Sequence, residues 1–135
     1  MNNYSGNTIL VAEDYDDARL MLRTFLESRG YHVIEARNGK EAVEIAQKEK
    51  PDLILMDLNM PELDGVAAAA VIRNLTELSE VPILANSADG SRGIDLFLSI
   101  KNFGRGYVDY LTKPLNLDTL AEQIETALLK VPKAA

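Results

Sequence analysis

The sequence predicts an α/β fold in which five strand–helix units build one parallel sheet. Short apolar runs rich in β-branched residues begin near positions 8, 32, 52, 81 and 107, and longer segments with helical spacing lie between them. Runs of this length, bounded by turn residues, are typical of strands buried on both faces. The predicted strands are Thr8–Ala12, His32–Ala36, Leu53–Met56, Val81–Ala85 and Tyr107–Leu111.

Each predicted strand is followed by a predicted helix. The first helix should end at Gly30, and the second should follow the Asn38–Gly39 turn and end before Pro51. The Ala67–Ala70 run marks the third helix, and the fourth is expected over residues 94–102. The apolar faces of the first, second and last helices consist of Ala18, Met21, Leu22, Phe25 and Leu26; Ala42, Ile45 and Ala46; and Leu120, Ile124, Ala127 and Leu128.

Length, charge and composition restrict the class of protein. A chain of 135 residues has the size of one domain, and we expect residues 1–135 to form one, with a core over about 8–130. The net charge of −7 argues against nucleic acid as a partner. The longest apolar run, Val66–Ile72, is too short to insert into a membrane. Since the sequence has no cysteine and no pattern of a signal peptide, we expect a cytoplasmic protein.

Polar side chains stand at the carboxyl ends of four predicted strands. Glu13 and Asp14 follow the first strand, Asp57 follows the third, Ser87 comes after the fourth, and Lys113 comes after the fifth. In open α/β sheets, ligands bind beyond the carboxyl ends of the strands. We therefore expect three carboxylates, one hydroxyl and one ammonium group to gather at a single edge of the sheet.

This set of groups suits phosphoryl transfer assisted by a metal ion. Three clustered carboxylates repel one another unless a cation is present, and their hard oxygens suit Mg²⁺. Asp57, which follows a wholly apolar run, can act as a nucleophile toward phosphorus, while Lys113 neutralises the phosphoryl oxygens. The hydroxyl of Ser87 and the backbone N–H of Ala88 would bind a remaining oxygen. Glu13 and Asp14 could instead cap the first helix, as Asp16 and Asp17 are expected to do.

The motifs that contain these residues resemble those of the response-regulator receiver domain. The motifs are Glu13-Asp14, Asp57-x-x-Met60-Pro61-x-x-Asp64-Gly65, Ser87-Ala88 and Tyr110-x-x-Lys113-Pro114. All four occur in order, and the resemblance covers about residues 8–130. It implies a flavodoxin-like, doubly wound (βα)₅ fold with the strand order 2-1-3-4-5.

The resemblance also implies a role for each site residue. Asp57 would accept a phosphoryl group from a phosphohistidine on a sensor histidine kinase or a histidine phosphotransfer protein. Asp14, Asp57 and the backbone carbonyl of Asn59 would bind Mg²⁺ directly, and Glu13 would reach it through water. Lys113 would pair with the phosphoryl group, and its peptide bond to Pro114 would be cis.

Ser87 and Tyr110 would form the switch pair of such a domain. When Asp57 is phosphorylated, the Ser87 hydroxyl would move toward the phosphate and the ring of Tyr110 would turn inward, which changes the surface of the fourth helix, fifth strand and fifth helix. A downstream target protein would recognise that surface. Two substitutions, Ser87 for threonine and Glu13 for aspartate, keep the needed atoms, but the segment from Ser87 to Lys113 is longer than is usual in the family.

Two other functions compete with this one. The site of an aspartate-nucleophile phosphohydrolase resembles an Asp-x-Asp motif at the end of the first strand. Here the candidate nucleophile is on the third strand, and the residue two positions beyond it is Asn59. A pseudo-receiver would keep the fold as an interaction module without phosphoryl chemistry. Within the signalling hypothesis, the sequence leaves open whether the chain is a diffusible regulator or an intermediate of a phosphorelay.

Overall fold

The computed structural model describes residues 7–60, 64–87, 92–99 and 106–129 of the chain. Its five strands form one parallel sheet in the order β2-β1-β3-β4-β5, and a helix follows each strand, as predicted. The elements are β1 Thr8–Ala12, α1 Asp16–Ser28, β2 His32–Ala36, α2 Gly39–Glu49, β3 Leu53–Asp57, α3 Gly65–Asn74, a 3-10 helix Thr76–Leu78, β4 Ile83–Ser87, α4 Arg92–Ser99, β5 Val108–Thr112 and α5 Leu117–Leu129.

The helix ends follow from local chemistry. The side-chain oxygen of Asn38 accepts a hydrogen bond from the backbone N–H of Glu41 at the start of α2. Asp64 caps α3 in the same way, by accepting from the N–H of Ala67. After α1 the chain turns through Gly30 with φ of 94°, a conformation in which glycine carries no steric penalty.

Alternate residues of the central strands build two separate cores. One face of the sheet, with Leu10, Ile54, Met56 and Ile83, packs against a core that includes buried residues of α2 and α3 and also Phe97 of α4. The other face packs against α1 and α5, and its core includes Val11 and Leu55 with Leu22, Leu26 and Ile124. Because β1 and β3 are covered on both sides, their side chains are almost all fully buried.

The strand boundaries agree with the sequence at the first two strands and differ at the others. β3 is one residue longer than expected because Asp57 continues the ladder. β4 is Ile83–Ser87 rather than Val81–Ala85, and β5 is Val108–Thr112 rather than Tyr107–Leu111. Val81 and Pro82 are buried but precede the strand. The predicted start was too early because an apolar run indicates burial and does not indicate which residues pair in the sheet.

Three further expectations need correction. The edge strands β2 and β5 are not buried on both faces, since His32 and Tyr110 are exposed and other residues of both strands are only partly buried. α4 begins at Arg92 rather than Ile94, and its predicted end near residue 102 lies outside the described residues. Asp16 and Asp17 do not cap α1: the cap position is Tyr15, whose own side chain makes no capping hydrogen bond, and both acids lie in the first turn. No helix in the described part of the chain is both long and apolar enough to span a bilayer.

Candidate functional site

Three carboxylates meet at the carboxyl edge of the sheet. β1 and β3 are neighbours in register, with Ala12 opposite Met56, so the residues that follow these positions come together. Oxygens of Glu13, Asp14 and Asp57 all lie within 4.8 Å of one another. Asp57 is 1% exposed and Glu13 is 2% exposed, whereas Asp14 faces solvent.

Asp57 is held by contacts at both of its oxygens. Its Oδ1 accepts a hydrogen bond of 3.0 Å from the backbone N–H of Asn59, and its Oδ2 lies 3.4 Å from the ammonium nitrogen of Lys113. The same ammonium lies 3.9 Å from Oε1 of Glu13. Lys113 itself is positioned by its backbone N–H, which donates to the carbonyl of Ser87, and by a cis peptide bond to Pro114, as the resemblance implied.

Glu13 has an unusual protonation equilibrium. Burial, followed by the nearby charge of Asp57, raises the pKa of Glu13 to about 7, although a hydrogen bond from the backbone N–H of Tyr15 and the charge of Lys113 oppose the shift. Without a cation, the folded site therefore holds a proton on this buried carboxyl group at mildly acid pH.

Arg19 supports the turn that carries two of the three acids. Its guanidinium donates to the backbone carbonyl of Glu13 at 2.9 Å, to Glu35 of β2 at 2.9 Å and to Asp16 at 2.6 Å. These bonds tie the turn after β1 to the neighbouring strand. This role of Arg19 could not be predicted from sequence, because its partner in β2 is 16 residues away and no local pattern indicates the contact.

Gly65 allows α3 to begin directly against Asp57. A Cβ atom at this position would lie 2.0 Å from the backbone oxygen of Asp57 and 2.7 Å from the Cα of Leu58. No side chain fits there, so glycine is required by close backbone approach. Gly65 was named from sequence only as the last residue of a motif, and the close approach to β3 is the structural reason for a glycine at this position.

The remaining site residues lie on the next two strands. Ser87 is the buried last residue of β4, next to Asn86, which is paired with Asp57 across the sheet. Tyr110 lies on β5 with its side chain exposed. Ala88 lies outside the described residues. His32, at the exposed start of β2, is at the opposite edge of the sheet.

A cavity of about 460 Å³ opens above the acids. Its lining includes Glu13, Asp57 and Lys113 and also apolar side chains of α1 and of the loop after β5. Sequence-predicted residues from three strand ends, together with Asn59, thus face one cavity that is large enough for a metal ion and a small phosphorylated group.

Comparison of the sequence with known protein families decides the family. The family model described as the response regulator receiver domain matches residues 9–125. The chain belongs to this family. This receiver is 30% identical over 122 residues to the polar-differentiation response regulator DivK of Brucella anthropi, with 90% of this chain and 95% of DivK covered. It is 34% identical to the protein PilH of Pseudomonas aeruginosa, with 89% and 96% covered.

Solved structures show the same fold. The receiver domain of the sensor histidine kinase PA1611 from Pseudomonas aeruginosa PAO1 superposes with a TM-score of 0.83 at 31% identity, covering 93% of this chain and 100% of that one. That structure contains a magnesium ion coordinated in its active site cleft. Chemotaxis protein CheY4 of Vibrio cholerae superposes with a TM-score of 0.80 at 28% identity, covering 90% and 98%. The flavodoxin-like fold predicted from the resemblance is confirmed.

Proposed function

We propose that this receiver accepts a phosphoryl group on Asp57 from a phosphohistidine of a sensor histidine kinase or histidine phosphotransfer protein. The observation that carries the proposal is the position of Asp57: its carboxylate is almost fully buried, yet one oxygen lies 3.4 Å from the Lys113 ammonium at the floor of an open cavity. A nucleophile next to a fixed cation suits transfer of a dianionic group.

The acidic cluster fits Mg²⁺. Three carboxylates within 4.8 Å offer only hard oxygen ligands and repel one another without a cation. Asp14, Asp57 and the backbone carbonyl of Asn59 would hold the ion, and Glu13 would contact it through water. When bound, Mg²⁺ neutralises charge on the phosphoryl oxygens.

The chain's own residues then carry out the transfer. An oxygen of Asp57 attacks phosphorus, the bond from phosphorus to the imidazole nitrogen breaks, and the electron pair of that bond stays on the nitrogen. Lys113 keeps its proton and neutralises the developing charge, while Ser87 and the backbone N–H of Ala88 bind another oxygen. The receiver thus catalyses only its own phosphorylation and its own later dephosphorylation, and it is not an enzyme acting on other substrates.

Phosphorylation would be read at the face formed by α4, β5 and α5. Ser87 and Tyr110 are the proposed switch pair, and Tyr110 lines a second cavity of about 420 Å³ between β5 and α5. Inward rotation of the Tyr110 ring would change that cavity and therefore the affinity for a downstream target protein. The partners of the receiver determine its output: it either binds a target protein or passes the phosphoryl group onward in a relay.

Two expectations remain predictions: that residues 1–135 form one receiver domain, and that the protein is cytoplasmic. The first is supported by a single five-stranded sheet and a family match over residues 9–125. The phosphohydrolase alternative is disfavoured by the relatives, which are signalling receivers. The pseudo-receiver alternative is disfavoured by the close contact between Lys113 and Asp57.

Incubation with acetyl phosphate and Mg²⁺ tests the proposal. The intact mass of the wild type should increase by one phosphoryl group, and the increase should vanish without Mg²⁺ and in Asp57→Asn. Asp52→Asn, a change at a residue outside the acidic cluster, is the control and should be modified like the wild type. Turnover of varied phosphate esters would favour the hydrolase, and a wild type that is never modified would favour the pseudo-receiver.

A further inference from the structure

Asn86 is a buried polar residue of β4 for which the proposed chemistry has no use. Its side chain is 1% exposed, and its side-chain oxygen has no hydrogen-bond partner among the described residues. A buried acceptor without a partner costs free energy, because it has given up hydrogen bonds to water and received none in return. An apolar residue at this place in the strand would avoid that cost, so the amide needs an explanation.

The side chain of Asn86 lies beside that of Asp57. The two residues are register partners on the neighbouring strands β4 and β3. Neighbouring strands lie about 4.8 Å apart, and partners on parallel strands project toward the same face of the sheet. Leu84 and Leu55, two residues before them, both belong to the core that faces α1 and α5, which identifies that face. Asn86 is therefore next to the carboxylate that accepts the phosphoryl group.

The Lys113 side chain has to cross β4 close to Asn86. Lys113 follows β5, and β4 lies between β5 and β3 in the sheet. Its backbone N–H donates to the carbonyl of Ser87, the residue after Asn86, and its ammonium nitrogen lies 3.4 Å from Asp57. The path from one end of this side chain to the other therefore passes over β4 at the residue that is paired with Asp57, which is Asn86.

The ammonium of Lys113 can use an additional acceptor. It carries three N–H donors. Its distances of 3.4 Å to Asp57 and 3.9 Å to Glu13 exceed the range of about 2.7–2.9 Å that is typical of charge-assisted hydrogen bonds. Once an oxygen of Asp57 is bonded to phosphorus, the negative charge lies mainly on the phosphoryl oxygens, and the ammonium has to follow it. An acceptor fixed in the neighbouring strand can hold the ammonium in that position.

We propose that Asn86 is a positioning residue for phosphoryl transfer, and that its side-chain oxygen accepts a hydrogen bond from the Lys113 ammonium when Asp57 is phosphorylated. The inference rests on the proposed function, because it concerns how the cation of that site is held. Asn86 takes part in no covalent bond change and in no proton transfer. It acts through Lys113, by keeping the ammonium next to the phosphoryl oxygens in the transition states of phosphorylation and of later hydrolysis.

Asn86→Leu removes the acceptor and keeps a side chain of similar shape. With acetyl phosphate and saturating Mg²⁺, we expect phosphorylation of Asp57 and the later loss of the phosphoryl group each to slow about fivefold, since one hydrogen bond to the ammonium is lost. Intact mass spectrometry gives both rates. The melting temperature of the unphosphorylated protein should rise by about 4 °C, because an unpartnered buried amide is removed. A purely structural role of Asn86 would change the melting temperature and leave both rates unchanged.

Two further variants locate the effect. Leu84→Val shortens a buried side chain on the same strand and the same face, two residues before Asn86, and should keep the wild-type rates. In a Lys113→Ala background, Asn86→Leu should have no additional effect on either rate, because the residue through which Asn86 acts is absent. An effect of the same size in that background would mean that Asn86 acts without Lys113, and this would overturn the inference.

A crystal structure with Mg²⁺ and beryllofluoride, which imitates the phosphoryl group, tests the contact itself. We expect the Asn86 side-chain oxygen to lie within about 3.2 Å of the Lys113 ammonium nitrogen. A distance beyond hydrogen-bond range, unchanged rates in Asn86→Leu or a lower melting temperature of that variant would each overturn the inference, while phosphorylation of Asp57 would still support the proposed function. If acetyl phosphate never modifies Asp57 of the wild type, the proposed function fails, and the inference fails with it.

Discussion

The two ends of the sheet each contain a buried charge, but the charges have opposite surroundings. At the carboxyl end, Asp57 and Glu13 lie next to the Lys113 ammonium and line an open cavity with it. At the amino end, Arg73 of α3 is fully buried and donates to the backbone carbonyls of Leu78 and Ser79. Within the described residues Arg73 forms no ion pair, and two of its nitrogens have no hydrogen-bond partner.

This difference separates a chemical role from a structural one. The acids at the carboxyl end are close to one another, line an open cavity and lie next to a cation, which is the arrangement that a metal ion and a phosphoryl group require. Burial lowers the pKa of Arg73 to about 10, so it stays protonated at neutral pH and fastens the turn after α3. Burial of a charge therefore indicates function only where a ligand can reach it.

A glycine stands against the buried charge at each end, and substitution of either by alanine gives the largest expected effect. Gly65→Ala forces a Cβ to 2.0 Å from the backbone oxygen of Asp57, which cannot move without displacing β3. We expect the free energy of unfolding to fall by about 3 kcal/mol or more, despite the better helix propensity of alanine. Urea denaturation measures this change.

The matched substitution is Gly106→Ala, whose Cβ would meet the Arg73 guanidinium at 2.4 Å and the backbone of Glu80 at 2.8 Å. It should cost about 1–3 kcal/mol and leave Mg²⁺ affinity unchanged. Gly65→Ala should reduce that affinity. A loss of Mg²⁺ affinity in Gly106→Ala would contradict the separation of the two ends.

The pH dependence of stability should differ between the ends. The pKa of Glu13 is raised from 4.5 to about 7, so its contribution to the free energy of unfolding is complete below pH 4.5 and is lost as the pH rises through 7. In metal-free buffer, wild type should therefore lose up to about 3 kcal/mol more than Glu13→Gln between pH 4.5 and 7. Arg73 does not titrate in this range.

Urea denaturation at a series of pH values measures the difference between wild type and Glu13→Gln. Parallel curves for the two proteins would mean that burial and the charge of Asp57 do not act on Glu13 as the structure indicates. Addition of Mg²⁺ to the wild type should flatten its curve, because the cation stabilises the ionised carboxylate.

A smaller effect is expected on Mg²⁺ affinity when Arg19, which contacts the turn after β1, is replaced. Arg19→Met removes the donor to the Glu13 carbonyl and should weaken Mg²⁺ binding about tenfold. Arg23→Met is the control, because Arg23 also pairs with Glu35 but makes no contact with Glu13. Calorimetric titration with Mg²⁺ compares the two, and equal affinities would show that the Arg19 contact has no influence on the metal site.

The smallest effect on stability concerns Asp14. Because its side chain is exposed, its repulsion of the other acids is screened by water, and Asp14→Ala should raise the metal-free unfolding free energy by less than about 0.5 kcal/mol. Mg²⁺ affinity should nevertheless drop sharply, since a direct ligand is lost. Asp17→Ala, in the first turn of α1, should keep the wild-type affinity; a drop of equal size there would indicate general charge attraction instead of a site.

The sequence was sufficient for the residues that end strands and insufficient for those that act through tertiary contacts. Asp57 and Lys113 could be identified because each follows an apolar run and parallel strands share one carboxyl edge. Arg19 could not, because its carbonyl acceptor and its partner in β2 meet only in the folded chain. Arg73 looks like an ordinary basic residue in the last turn of α3, and nothing local indicates that it is buried.

The boundaries that sequence analysis misplaced have a common cause. Val81 and Pro82 are as apolar as the strand that they precede, so an apolar run predicts burial but not the first paired residue. At α4, Arg92 and Gly93 belong to the helix without contributing to its apolar pattern, so the pattern begins two residues late. The end of β4 was misplaced as well, so Ser87 is the last residue of that strand rather than a residue that follows it.

Chemical mapping of the phosphorylated residue tests the central claim most directly. Borohydride reduces an aspartyl phosphate to homoserine, and peptide mass spectrometry then locates the altered residue after treatment with acetyl phosphate and Mg²⁺. We expect homoserine at position 57 and unchanged acids at positions 13 and 14. Homoserine at position 14, or phosphorylation of a side chain other than a carboxylate, would contradict it.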